Sequence, residues 1–254
     1  MQAFCGIDVA CAKGKPLPVV VCVRDGARLH ALPLRRNGPV PPRGMGNRSS
    51  IDRQTRQTFT SEVINYLANV ERQFDIRIAE IAIDAPRSPS SGPRRAAELA
   101  MDRAGISCIA TPTYADFDAM PGRVAAHLAA GGSEARIPRA NQLWMLIGFD
   151  LFESLGERYP CIEVFPNAIV RAVAPGAPHK STTEGFEQQL AAVAEAASWN
   201  PAELSASAYG SRHDKLDALM SAWVASVPPP LRIPFGDGAL DTIWSVPAPA
   251  RNVV

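Results

Sequence analysis

The sequence carries almost no excess charge. Its 26 lysines and arginines stand against 25 aspartates and glutamates, a formal net charge of +1. That balance excludes an acidic tail protein and an overtly basic nucleic-acid coat, so any polyanion must be met by a local patch. No run of 18 apolar residues occurs, and nothing reads as a membrane-spanning helix. The opening Met1-Gln2-Ala3-Phe4-Cys5 lacks the basic start and long apolar stretch of a secretory signal, which makes a soluble, cytoplasmic protein the expectation. Cysteine is scarce: Cys5, Cys11, Cys22, Cys108 and Cys161 make an odd number without a C-x-x-C pair. They read as reduced thiols, mostly buried in strand-like runs, with Cys11 the least buried by pattern. Internal repeats are absent, as are P-loop and G-x-G-x-x-G sequences, which argues against a nucleotide cradled by a glycine loop.

What is present fits one α/β domain. A chain of 254 residues is long enough for a sizeable core, and the pattern places that domain at 1–230 with a Pro-rich tail at 231–254 that wraps the surface. Residues 3–9, 18–23 and 28–34 read as three strands, the last two joined by an Asp25-Gly26 hairpin turn. Residues 35–56 form an Arg-, Pro- and Gly-rich loop without periodicity, a length that is usually functional or mobile. Val63, Ile64, Leu67 and Val70 mark a helix over 60–73 that Thr60 or Ser61 can cap. A strand over 79–84 follows, then a helix over 93–104 with Pro93 at its first position and Gly105 as its stop. Residues 106–110 read as a short strand and 111–138 as an irregular insertion with helical character near 123–130. A buried helix over 140–155, a strand over 161–165, a helix over 181–197 and a last helix over 212–227, stopped by Pro228-Pro229-Pro230, complete the chain.

Four acidic residues stand at the readable ends of these elements. Asp8 closes Phe4-Cys5-Gly6-Ile7, Asp84 closes Ile81-Ala82-Ile83, Glu163 interrupts the strand before Pro166, and Asp217 borders the apolar face of the last helix. A carboxylate at a buried strand end is costly to desolvate unless a positive charge meets it. Several converging at one sheet edge suggest a divalent-cation site, because Mg²⁺ and Mn²⁺ take oxygen ligands from Asp and Glu. Plainer roles are open for each. Asp8 and Asp84 can form turns through their own side chains, and Asp214, three residues after Ser211, has the spacing of a capping box. Asp217 is therefore favoured over Asp214 as a ligand. His213 is a candidate proton shuttle or simply a packed histidine.

Cations are placed to hold phosphate. Arg35, Arg36, Arg43 and Arg48 lie in the 35–56 loop, where Asp52 is the one acid, and an arginine-rich arm suits a polyphosphate backbone, or is a solvated surface. Arg94 and Arg95 fall in the first turn of the helix read over 93–104, where the macrodipole disfavours cations, so they suggest an anion pocket. Arg87, after Asp84, and Lys180, beside the cap of the 181–197 helix, are further candidates.

The order of elements is that of a ribonuclease-H-like domain: a mixed five-stranded sheet, its first three strands antiparallel, flanked by helices. Gly6-Ile7-Asp8, Ile83-Asp84-Ala85-Pro86, Ile162-Glu163-Val164-Phe165-Pro166, Lys180 to Gly185, and Asp214-Lys215-Leu216-Asp217-Ala218 with Ala222-Trp223 together resemble domain-of-unknown-function family 429, predicted nucleases of that fold. The resemblance spans roughly residues 4–226. It implies an acidic cluster of Asp8, Asp84, Glu163 and Asp214 or Asp217 with Lys180 near it. Two departures stand out: Val9-Ala10-Cys11 follows the first strand where many relatives have a glycine-rich turn, and the 35–56 insertion is long. The expectation is a nuclease that hydrolyses phosphodiester bonds with Mg²⁺ or Mn²⁺ held by Asp8, Asp84, Glu163 and Asp217. The alternative is a non-catalytic module of the same fold that binds nucleic acid or protein.

Overall fold

The computed structural model describes residues 1–10, 12–238 and 241–248, so Cys11 lies outside the described residues. Its centre is a sheet of seven strands, not five, in the order β3-β2-β1-β4-β5-β7-β6. These are β1 (Gln2–Asp8), β2 (Val19–Asp25), β3 (Arg28–Ala31), β4 (Arg77–Asp84), β5 (Cys161–Val164), β6 (Ile233–Asp237) and β7 (Asp241–Ser245). β1, β2 and β3 form the expected antiparallel meander. β1, β4, β5 and β7 run parallel, and β6 returns antiparallel at the edge.

Two expectations fail together here. Residues 106–110 form no strand, and the place beside β5 is taken by β7, from the segment expected to be a surface tail. The prolines past Val227 hid this hairpin, in which Thr242, Ile243 and Ser245 are buried and the Thr242 hydroxyl donates to Gly238 O at 2.6 Å.

Among the described residues the longer helices are α1 (Arg53–Phe74), α2 (Ala96–Arg103), α3 (Met120–Ala129), α4 (Trp144–Gly156), α5 (Pro166–Val173), α6 (Thr183–Ala196) and α7 (Arg212–Ser226), and all but α3, which packs in a cluster of its own with Ile137 and Leu143, flank the sheet. Several begin elsewhere than expected, each for a local reason. α1 starts seven residues early because the Asp52 carboxylate accepts from Thr55 N at 2.7 Å, a strong cap. The 35–56 segment is accordingly not a bare loop: it holds a helical turn at Leu34–Asn37, a 3₁₀ turn at Ser49–Ile51 and the start of α1. α2 begins only at Ala96, so Pro93, Arg94 and Arg95 precede the helix instead of forming its first turn. α6 is capped by Thr182, whose hydroxyl accepts from Gly185 N at 3.0 Å. α5, started by Pro166 directly after β5, was not foreseen. The 111–138 insertion contains a short helix at Tyr114–Asp118 as well as α3.

The sheet divides two cores. On one face Val20, Cys22, Ala82, Ile162 and Val164 pack against Leu216, Leu219, Met220 and Trp223 of α7. On the other, Cys5, Ile7, Ile81 and Ile83 meet Val63, Leu67 and Val70 of α1 and Ile147 and Leu151 of α4. α7 crosses β1 so closely that a Cβ on Gly6 would stand 2.0 Å from Ala218 O and 2.3 Å from Ala222 N. Only glycine permits that approach, and the approach brings Asp217 to the end of β1. Among the described residues no helix is long and apolar enough to cross a membrane.

Candidate active site

Strand alternation sorts the three strand acids, Asp8, Asp84 and Glu163, onto two faces. Side chains two apart share a face, so Asp8 follows Phe4 and Gly6 toward α7, and Asp84 follows Ala82 the same way. The two aspartates are direct partners in the parallel β1–β4 register, which sets their backbones about 4.8 Å apart. Glu163 pairs with Ile83, whose side chain lies in the opposite core. It therefore points away from α7.

The environments differ as sharply as the directions. Glu163 is met by a buried arginine: Arg95 Nη1 and Nη2 donate to its two oxygens at 2.7 and 2.8 Å, and the Arg87 backbone N–H donates at 2.9 Å. Burial pushes the Glu163 carboxyl up, while Arg95 and the Arg87 amide pull it down. A two-point guanidinium–carboxylate contact of this kind is a strong, charge-assisted pair. Arg95 is occupied further, donating from Nε to Asp241 Oδ1 at 3.0 Å, and Asp241 Oδ2 accepts from Ala96 N at 2.8 Å. Asp241, from the unforeseen hairpin, thus caps α2 and fixes Arg95.

Asp8, Asp84 and Asp217 have no such balance. Burial first, then repulsion from Asp84 and Asp217, raises the Asp8 carboxyl well above the ordinary range; burial and then Asp217 do the same to Asp84. Asp217 is also raised, by burial against the pull of Lys180. Lys180 Nζ donates to Asp217 Oδ2, and it is the cation that lowers all three. The other oxygen, Asp217 Oδ1, is buried with no hydrogen-bond partner among the described residues. Asp84, Lys180, Asp217, His179, Gln189 and Phe165 are among the residues around a cleft of about 260 Å³ at this edge.

The remaining candidates occupy other roles. Asp214 accepts from Ser211 N at 3.1 Å and its own N–H meets Ser211 Oγ at 3.3 Å, a completed capping box at the start of α7. His213 packs on Phe186, ring centroids 5.6 Å apart, and receives Arg212 Nε at 3.4 Å. Arg94 is paired with Asp102 at 2.7 Å. Arg87 lies 4.9 Å above the Phe152 ring and donates to Cys161 O. Arg48 pairs with Glu134, and Arg35 reaches Ser205 O at 3.4 Å; both are exposed, as is Arg36. Arg43 donates to Gly14 O at 2.7 Å in the connection that follows β1, where Lys13 and Lys15 are also exposed.

Hard oxygen donors crowded on one side, one of them buried without a partner, are the donor chemistry of Mg²⁺ or Mn²⁺. Among the described residues no three His, Cys, Asp or Glu side chains stand close enough to enclose an ion by themselves. Mg²⁺ does not require that, since it keeps several waters and takes one or two carboxylates together with substrate oxygens. The fit rests on Asp8, Asp84 and Asp217, with Glu163 satisfied elsewhere.

The model of the family described as "Protein of unknown function (DUF429)" matches residues 6–228. The chain belongs to the DUF429 family. The matched span in this DUF429 chain runs from two residues before Asp8 to two past the end of α7, and so contains all the residues of the cleft. No curated protein and no solved structure matches the chain.

Proposed function

We propose that the protein is a divalent-metal-dependent phosphodiesterase acting on nucleic acid in the cytoplasm, built on a ribonuclease-H-like fold. The observation that carries the reading is the pairing of Asp8 with Asp84 across parallel strands, with the unpartnered Asp217 Oδ1 in the same cluster. Three carboxylates crowded this way repel one another, by about 4 kcal/mol for a pair 4 Å apart at an effective dielectric near 20. Nothing in the packing of the fold needs that repulsion. The fold assignment is supported by the central order β3-β2-β1-β4-β5, with β2 antiparallel to β1, and by a last helix laid over β1.

Asp8, Asp84 and Asp217 would hold the cation, which when bound neutralises these carboxylates, polarises a phosphoryl oxygen and makes water a better nucleophile near neutral pH. The chain's own residues do the rest. Lys180 stands where a phosphate oxygen beside Asp217 meets a positive charge, and Gly6 lets α7 set the distance between Asp217 and the strand ends. The exposed Lys13, Lys15 and Arg43 beside β1 give the nucleic-acid backbone a local basic rim on a chain of near-zero net charge.

The test is thermal unfolding with and without Mn²⁺, for the wild type and for Asp8→Asn combined with Asp84→Asn, followed by cleavage assays on single strands, duplexes and junctions. The expected result is a Mn²⁺-dependent rise lost in the double variant, of about 2.7 kcal/mol at a hundredfold excess over Kd, and metal-dependent cutting by the wild type alone. Nucleic-acid binding that survives the double variant, with no metal-dependent cutting by either protein, would establish the non-catalytic module instead.

A further inference from the structure

A second cavity opens on the other side of Asp84. It has a volume of about 310 Å³ and is walled by Met101, Ile109, Trp144, Met145, Phe165 and Ile243 among others. Asp84 and Phe165 also line the cleft that holds Lys180 and Asp217. The two spaces therefore meet at one carboxylate and one aromatic ring.

Their chemistry is opposite. The cleft offers a cation; the cavity offers none, and its charged wall residues are Asp84, Glu98 and Glu163. Glu163 is saturated by Arg95 and Arg87, and Glu98 accepts from Thr111 N at 2.8 Å and Arg95 N at 3.2 Å. A phosphate or a fatty carboxylate entering this cavity would meet only like charge. An uncharged flat ring that donates hydrogen bonds would meet aromatic and thioether surface on its faces and the Asp84 carboxylate as an acceptor at its edge. The volume lies at the lower end of the range of ligand pockets and suits one heterocycle with part of its sugar.

We propose that this cavity binds an amino-bearing nucleobase, the base of the nucleotide whose phosphate lies in the Lys180 cleft. The inference rests on the phosphodiesterase reading for the phosphate but not for the cavity. A base can enter only when it is out of a stacked duplex, so the substrate class is single-stranded nucleic acid or a nucleotide extruded from a duplex. Ile109, 49 % exposed in the segment that was expected to be a strand, forms part of the wall. That segment runs past the cavity because β7 occupies the sheet position beside β5.

The experiment titrates adenosine, purine riboside and ribose into the full chain without added divalent cation. It follows the Trp144 indole N–H resonance by NMR, assigned with Trp144→Phe. Adenosine is expected to shift that resonance saturably, purine riboside to bind about fivefold more weakly for want of one hydrogen bond, and ribose not to shift it. Ile109→Asp, at a half-exposed position, is expected to weaken adenosine by at least about tenfold through lost apolar contact, with the other indole signals unchanged as the control for folding. A single strand of deoxyadenosines binding more tightly than adenosine identifies a strand as the source of the base; the reverse identifies a free nucleotide. Equal response to adenosine and ribose, or none to either, overturns the proposal even if Mn²⁺-dependent cleavage is present. Adenosine binding in a protein that shows neither Mn²⁺ stabilisation nor cleavage leaves the base pocket standing and removes the phosphodiesterase.

Discussion

Asp8 and Asp84 lie directly opposite each other in the β1–β4 pair, and both carboxyls stand well above their ordinary value, Asp8 through burial and repulsion from Asp84 and Asp217, Asp84 through burial and repulsion from Asp217 and Glu163. A carboxyl whose native pKa exceeds its unfolded one binds more protons in the native state. Its favourable contribution is complete below the unfolded value, near 4, and is lost as pH rises through the raised native value. In the absence of divalent cation the wild type is therefore expected to lose stability as pH increases above about 4. Asp8→Asn and Asp84→Asn, which cannot ionise, should each flatten that slope and add on the order of 1 kcal/mol at pH 8. Urea unfolding at pH 5 and pH 8 measures it. Slopes identical to the wild type would mean that the two carboxylates do not burden the native state.

Glu163 is expected to behave in the contrary way. It was foreseen as a metal ligand beside the aspartates, but its side chain faces the opposite core and completes a buried pair with Arg95. Glu163→Gln removes one of the two carboxylates that Arg95 holds and leaves Asp241 as its anionic partner, so a loss of stability is expected that stays below the about 3–5 kcal/mol of a buried charge left wholly unpaired. The Mn²⁺-dependent increment in melting temperature should persist on that lower baseline. A variant of normal stability that no longer responds to Mn²⁺ would return Glu163 to the metal site.

The reason Glu163 misled is the reason other parts were legible. Strand ends announce themselves through apolar runs closed by an acid, and Asp8 and Asp84 both lie where that pattern puts them. The face on which a short strand's side chains fall depends on register against its neighbours, and Ile83 opposite Glu163 appears nowhere in the local sequence. Arg95 is the same case. Two guanidinium groups at a helix start suggest an anion pocket, but Arg95 is held by the chain's own Glu163 and Asp241, 68 and 146 residues away, and Arg94 by Asp102. The hairpin that supplies Asp241 was hidden by prolines around it, and with it went the correct width of the sheet. The Asp214–Ser211 box, by contrast, is local, and was readable from a spacing of three.

Gly6 fixes how near α7 comes to β1. Gly6→Ala would place a methyl group against the Ala218 carbonyl and the Ala222 amide, both backbone atoms of a buried helix that cannot swing aside. The helix has to move outward, at a cost of about 1–3 kcal/mol or more for an overpacked core. Because Asp217 rides on that helix, the substitution should weaken Mn²⁺ binding beyond its effect on stability. Calorimetric Mn²⁺ titration below the variant's melting temperature separates the two effects. Wild-type affinity in a destabilised protein would show that the position of α7 does not set the site.

In the proposed site Lys180 and a divalent cation would both address Asp217. The ammonium group occupies Oδ2 while Oδ1 remains buried without a partner among the described residues, so a cation arriving at this carboxylate shares it with, or displaces, a positive charge already there. Like charges in a partly buried site oppose each other, which would make Lys180 an obstacle to metal binding in the absence of substrate. A phosphate between them reverses the sign, since each charge then faces an anion. Lys180→Met is accordingly expected to bind Mn²⁺ about tenfold more tightly and to cleave oligonucleotides at least about tenfold more slowly, because the phosphate has lost its positive partner. Lys180→Arg keeps the charge and should leave Mn²⁺ affinity near that of the wild type. Thermal titration with Mn²⁺ and a cleavage time course on the same three proteins read both quantities. Weaker Mn²⁺ binding by Lys180→Met would mean instead that the lysine holds Asp217 in place for the cation, and that its ion pair assists the site.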